Sequence, residues 1–175
     1  METVRLTVGQ AIVRFIAAQD VERDGDRHRF IAGVWGIFGH GNVAGLGEAL
    51  EELGDACNLP FYRPQNEQAQ VHIAHAFAKH HNRLRAYACT ASVGPGSTNM
   101  LTGAADATVN RIPVLLLPSD AFANRAPDPV LQPRRSGNGP RTREVLVPQV
   151  RHEAVIVVHL GREVRIDRRQ LGQVR

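Results

Sequence analysis

Phe30-Ile31-Ala32-Gly33-Val34-Trp35-Gly36-Ile37-Phe38 contains no charged residue and runs directly into Gly39-His40-Gly41-Asn42. A continuous apolar run of this length predicts a parallel strand buried on both faces, and the glycines after it predict a loop at its carboxyl end. Upstream, Val8, Ile12, Phe15 and Ile16 recur at helical spacing behind Thr7, which predicts a first helix from Thr7 to about Gln19 and leaves Asp20 to Arg29 as a charged loop. Downstream, a second helix is expected from Val43 to Cys57, then a short strand near Leu59 to Tyr62. A third helix follows, capped by Asn66, with Ala69, Ile73, Ala76 and Phe77 as its apolar face. Leu84–Ala91 reads as a strand, Gly94-Pro95-Gly96 opens a helix reaching Val109, and Arg111–Pro118 reads as a further buried strand.

Short apolar strands alternating with amphipathic helices imply right-handed crossovers and an α/β fold. The expected architecture is a flavodoxin-like, doubly wound parallel sheet with helices on both faces. Such sheets gather ligands at the carboxyl ends of their strands. The Gly39 loop, Glu67 and the Gly94 turn all fall at that edge.

The chain has 175 residues, enough for one core of ordinary size. Its charge divides unevenly. Residues 1–132 carry 11 basic and 13 acidic side chains, whereas residues 133–175 carry ten arginines against four acidic residues, with no Lys, Phe, Tyr or Trp. The expected organisation is therefore a domain over residues 1–132 followed by an Arg-rich tail, 133–175, that is disordered or the product of a shifted reading frame. Within the tail, Val145–Val147 and Val155–Leu160 read as strands. The arginines alone would predict salt-sensitive association with nucleic acid, while the mildly acidic folded part argues against it. No apolar run approaches the ~20 residues of a membrane span, which makes a cytoplasmic location the expectation.

Several chemistries lack their residues. No GxGxxG or GxxxxGK[ST] marks a dinucleotide or nucleotide site, and no Gly-x-Ser-x-Gly elbow marks a serine hydrolase. Cys57 and Cys89 fit no CxxC pattern and read as buried, reduced thiols. His72 and His75 are three apart on the third helix, but no acidic partner stands beside them in sequence, so no metal site is expected. His40, between two glycines at a strand end, is placed to bring a donor into a cleft. Taken alone, Asn66-Glu67 is a helix cap and a first-turn acid, and Gly94-Pro95-Gly96 is a tight turn between strand and helix.

Together these motifs resemble the pyrimidine-binding domain of thiamin-diphosphate-dependent enzymes. Glu67 lies within Tyr62-Arg63-Pro64-Gln65-Asn66-Glu67, and Gly94-Pro95-Gly96-Ser97-Thr98-Asn99 follows 27 positions after it. Across the whole stretch, with Gly39-His40-Gly41-Asn42, the wording is similar to the trihydroxycyclohexane-1,2-dione hydrolase family of inositol breakdown. The resemblance implies that Glu67 hydrogen-bonds N1′ of the cofactor's aminopyrimidine and so promotes loss of the proton from thiazolium C2. It also implies that Gly94, Pro95, Gly96 and Asn99 shape the cofactor cleft, with Gly39, His40, Asn42 and Arg63 toward a cyclic diketone. Family members hold the diphosphate through Mg²⁺ with a Gly-Asp-Gly stretch. That stretch does not occur in this sequence, so an incomplete site and a need for partners, in a homo-oligomeric parent enzyme, are expected. Another thiamin enzyme, of acetolactate synthase or 2-keto acid decarboxylase type, and a non-catalytic solitary domain remain open alternatives.

Overall fold

The computed structural model describes residues 3–119, 155–157 and 166–167. Its centre is an all-parallel sheet built from β4 (Ile31–Ile37), β5 (Phe61–Tyr62), β6 (Ala86–Ala91), β7 (Val114–Pro118) and β8 (Val155–Val157), in the order β5-β4-β6-β7-β8. This is the flavodoxin-like order. The chain leaves β4 for a neighbour on one side and later returns to a neighbour on the other, so the carboxyl ends of β4 and β6 form the topological switch point.

Helices cover both faces. On one, α1 (Val8–Ala17) and α3 (Glu48–Leu53) contribute Val13, Ile16, Ala49 and Leu50 to a core with Ile31, Val34, Ala88 and Leu117 from the sheet. On the other, α4 (Glu67–His80) and α6 (Leu101–Val109) contribute Val71, Ala74 and Ala107 to a core with Cys89, Ala91 and Leu116. Full burial of an aliphatic side chain such as Val34 contributes roughly 1.5–3 kcal/mol, and alternation along β4 and β6 sends side chains into both layers. Helix α1 starts as the sequence predicts: Thr7 Oγ1 accepts from Gln10 N at 3.1 Å and Gln10 Oε1 accepts from Thr7 N at 2.9 Å, a reciprocal capping box.

Four expectations need correction. Asp20–Arg29 is a hairpin, β2 (Asp20–Arg23) with β3 (Asp26–Arg29), turning through Asp24 and Gly25 at φ +56° and +87°. The Gly39 loop is the start of a helix: α2 (His40–Asn42), a π-helical turn (Val43–Gly47) and α3 run on from one another and end at Leu53. The helix after Gly94 is divided into α5 (Pro95–Asn99) and α6 at Met100. Finally, α4 turns Gln70, Val71, Ala74 and Ala78 inward, while Ile73 is 38% exposed. Of the tail, Val155–Val157 is the strand at the sheet edge, and Ile166–Asp167 (β9) pairs antiparallel with Thr3–Val4 (β1). The strand expected at Val145–Val147 lies outside the described residues.

An aromatic group flanks β5. Trp35 stacks on Tyr62 with ring centroids 4.8 Å apart, Tyr87 meets both edge-on, and Phe77 of α4 lies 4.1 Å from Tyr87. Both cysteines are buried and unbridged, and burial pushes the Cys89 thiol well above its ordinary range. Among the described residues, no helix is long and apolar enough to cross a membrane.

Candidate active site

Three connections leave the carboxyl edge beside the switch point, and each carries residues singled out by the sequence. After β5, the Asn66 side chain accepts from Ala69 N at 2.8 Å and caps α4, which places Glu67 in the first turn. After β6, Gly94 takes φ +72°, a conformation that an L side chain resists, and Pro95 starts α5 with the φ its ring already fixes. The turn is tied down by its own hydroxyls: Ser97 Oγ donates to Ser92 O at 2.7 Å and Thr98 Oγ1 to Gly94 O at 2.9 Å.

Glu67 and the Gly94 turn meet. Asn99 Nδ2 donates to Glu67 Oε2 at 2.9 Å across 32 positions of sequence. The other carboxylate oxygen, Oε1, faces the backbone of Gly96 and has no partner among the described residues. A Cβ on Gly96 would lie 3.2 Å from Glu67 Oε1 and would collide with Ser92 Oγ, so the hydrogen of glycine keeps this space open. The result is a half-buried carboxylate with one oxygen fixed by Asn99 and the other turned to the bare backbone of Gly96.

The Gly39 segment closes the edge from the β4 side. Asn42 is buried. Its Oδ1 accepts from Gly39 N at 2.6 Å, and its Nδ2 donates to Thr90 Oγ1 and to Ala91 O at 3.3 Å each. These bonds commit the Asn42 amide to holding the turn. His40 and Arg63 are exposed, and no hydrogen bond or ion pair joins either to Glu67 among the described residues. The structure thus brings together Glu67, Gly96 and Asn99, and adds Ser92, which sequence reasoning does not pick out. Its only signal is its position, one residue beyond β6.

The histidines of α4 have a partner that sequence spacing does not reveal. Asp106 of α6 places Oδ2 3.0 Å from His75 Nδ1 and 3.6 Å from His72 Nδ1, joining the two helices. Among the described residues, no group of three or more His, Cys, Asp or Glu is placed to hold a metal ion.

Comparison with known proteins gives the same direction. The family described as "Thiamine pyrophosphate enzyme, N-terminal TPP binding domain" matches residues 6–137. Among individual relatives, 3D-(3,5/4)-trihydroxycyclohexane-1,2-dione hydrolase 2 of Bacillus cereus is 58% identical over 132 residues, covering 75% of this chain and 20% of the relative. The hydrolase of the same name without the numeral from Clostridium tetani is 56% identical, and that of Bacillus thuringiensis 58%, over the same shares. The chain therefore spans about a fifth of the length of the curated relatives it matches.

Proposed function

Because the chain belongs to the thiamine pyrophosphate enzymes through their N-terminal TPP binding domain, we propose that it supplies the pyrimidine-holding half of a thiamin diphosphate site. The parent activity in this reading is hydrolysis of a carbon–carbon bond in trihydroxycyclohexane-1,2-dione, a ring-opening step of inositol breakdown. One observation carries the proposal: Glu67 offers one oxygen, Oε1, with no partner among the described residues, against the Cβ-free backbone of Gly96, with Oε2 held by Asn99.

When bound, the cofactor supplies a carbon nucleophile and an electron sink. The chain's own work is narrower. Glu67 Oε1 holds the proton shared with ring nitrogen N1′ of the aminopyrimidine, and the Asn99 amide stops the carboxylate from turning that oxygen away. Gly94, Pro95 and Gly96 let the ring approach the backbone. His40, at the start of α2, stands as a donor toward the substrate, with Arg63 beside the entrance and Asn42 holding the Gly39 turn. Ligands for the diphosphate's magnesium are assigned to no residue of this chain, and the complete site is assigned to a homo-oligomer.

The test is a graft. Residues 6–137 replace the matching segment of the Bacillus cereus relative, and the purified chimera is assayed for thiamin-dependent opening of the cyclic dione. Activity is expected, with Glu67→Gln lowering kcat by about 10²–10⁴-fold. A folded, cofactor-loaded chimera that instead acts on a 2-keto acid, or that is inactive where the host's own segment is active, overturns the proposal.

A further inference from the structure

Among the described residues, the buried polar side chains are Asn42, Gln70, Thr90 and Ser92, which stand at the end of β6 or on the segments that follow β4, β5 and β6. Three of them form a chain through the sheet. From the layer of α3, Asn42 Nδ2 reaches Thr90 Oγ1 at 3.3 Å; from the layer of α4, Gln70 Nε2 donates to Thr90 O at 3.0 Å. Thr90 Oγ1 also donates to Leu117 O at 2.9 Å, which fixes the residue against β7. Gln70 Nε2 lies 3.3 Å from Met100 Sδ, at the junction of α5 and α6, and Cys89 Sγ lies 3.6 Å from Gln70 O.

Packing does not account for Gln70. It is fully buried, and its Oε1 has no hydrogen-bond partner among the described residues. An unmade bond in the core is costly, and methionine has similar volume with no amide to satisfy. The amide orientation is fixed, because Thr90 O and Met100 Sδ both accept and Nε2 must face them. What the amide achieves is connection. Gln70 sits one helical turn after Glu67, Met100 directly follows Asn99, and Thr90 stands two residues before Ser92. Asn42 adds the Gly39 turn and His40 to the same hub.

We propose that Gln70 and Thr90 are positioning residues: the Asn42–Thr90–Gln70 network sets the height of Glu67 against Asn99 on one side of the sheet and of the Gly39 turn on the other. Each buried hydrogen bond restricts the arrangement of the elements it joins, and this network joins the three connections that form the site. The inference rests on the proposed reading for what the site does, and on the geometry alone for the coupling.

The test uses the full 175-residue chain without ligand, labelled for NMR. Its readouts are the Glu67 carboxyl carbon, the Asn99 side-chain amide and the Gly39 amide proton. Gln70→Met is expected to move the Glu67 and Asn99 signals, and Thr90→Val, which loses the hydroxyl that Asn42 meets but keeps the carbonyl that Gln70 meets, to move the Gly39 proton. Thr90→Ser, which keeps the hydroxyl, should return the Gly39 proton toward its wild-type position. Ile16→Val, in the other core, serves as a control that lowers the melting temperature without shifting any of the three. If the Gln70 and Thr90 variants lower the melting temperature as Ile16→Val does and leave the three signals in place, the residues are only structural and the proposal fails. Should Gln70→Met not fold, Gln70→Leu is read in its place for Glu67 and Asn99, while the Thr90→Val and Thr90→Ser pair reads the Gly39 side. Because no cofactor is present, the outcome is separate from whether the grafted chimera opens the dione.

Discussion

Glu67 depends on the cap beneath it. Asn66→Ala removes the acceptor for Ala69 N, and a loss of about 1 kcal/mol is expected in urea unfolding. Glu67→Gln keeps an acceptor for Asn99 and sits half-buried at the surface, so its cost should stay under about 1 kcal/mol. A much larger loss would mean that the carboxylate is part of the fold rather than free for chemistry. Cys89 gives a second prediction at this scale. Its thiol is pushed up by burial from a free value of 9.0, so raising the pH toward 9 should not speed alkylation at Cys89 in the native chain. Above 9.0 the unfolded chain loses a proton that the folded chain keeps, so stability should fall as pH rises there and stay level, as far as Cys89 is concerned, below it. Mass spectrometry after iodoacetamide, native against urea-treated, reads the first; unfolding midpoints at several pH values read the second.

Helix α4 shows where sequence and structure part. Apolar spacing assigns Ile73 to the core face, yet it is 38% exposed while Val71 is fully buried. Ile73→Gln should therefore change stability by no more than about 0.5 kcal/mol, whereas Val71→Ala should cost about 1–3 kcal/mol, both measured by urea denaturation. The reversed outcome would put Ile73 back in the core. The mismatch has a physical cause: Gln70 is held inside by hydrogen bonds, so the inward stripe is partly polar and hydrophobic periodicity points elsewhere. The hairpin of β2 and β3 escapes the sequence for a related reason. Its strands are charged, with no apolar alternation, although Asp24-Gly25 is the dipeptide that a two-residue turn with positive φ favours. Strands β4, β6 and β7 are legible because burial on both faces leaves long apolar runs, and the order of their loops already puts Glu67 and Gly94 at one edge. Contacts across tens of residues, such as Asn99 with Glu67, Asp106 with His75 and Gln70 with Thr90, have no signature in spacing and require the fold.

At the scale of the molecule, apolar side chains remain uncovered on several elements: Val109 is 82% exposed, and Val43, Phe15 and Leu101 exceed 40%. Concentration-dependent self-association is expected by light scattering, and a monodisperse monomer at high concentration would contradict it. If the chain supplies only the pyrimidine-holding half proposed above, it should also bind the cofactor weakly. Titration calorimetry of the chain with thiamin diphosphate and magnesium should give little or no heat, and tight magnesium-dependent binding would show that the chain completes the site itself. The stacking of Trp35 on Tyr62 gives the protein an internal gauge for such experiments. Trp35 is the only tryptophan, its partner belongs to the short strand that leads through Arg63 to Glu67, and Tyr87 closes on both from β6. Ultraviolet emission from this one indole reports whether that strand is docked, so a colour change on adding a ligand or a partner would register the entrance of the site moving, with no label attached.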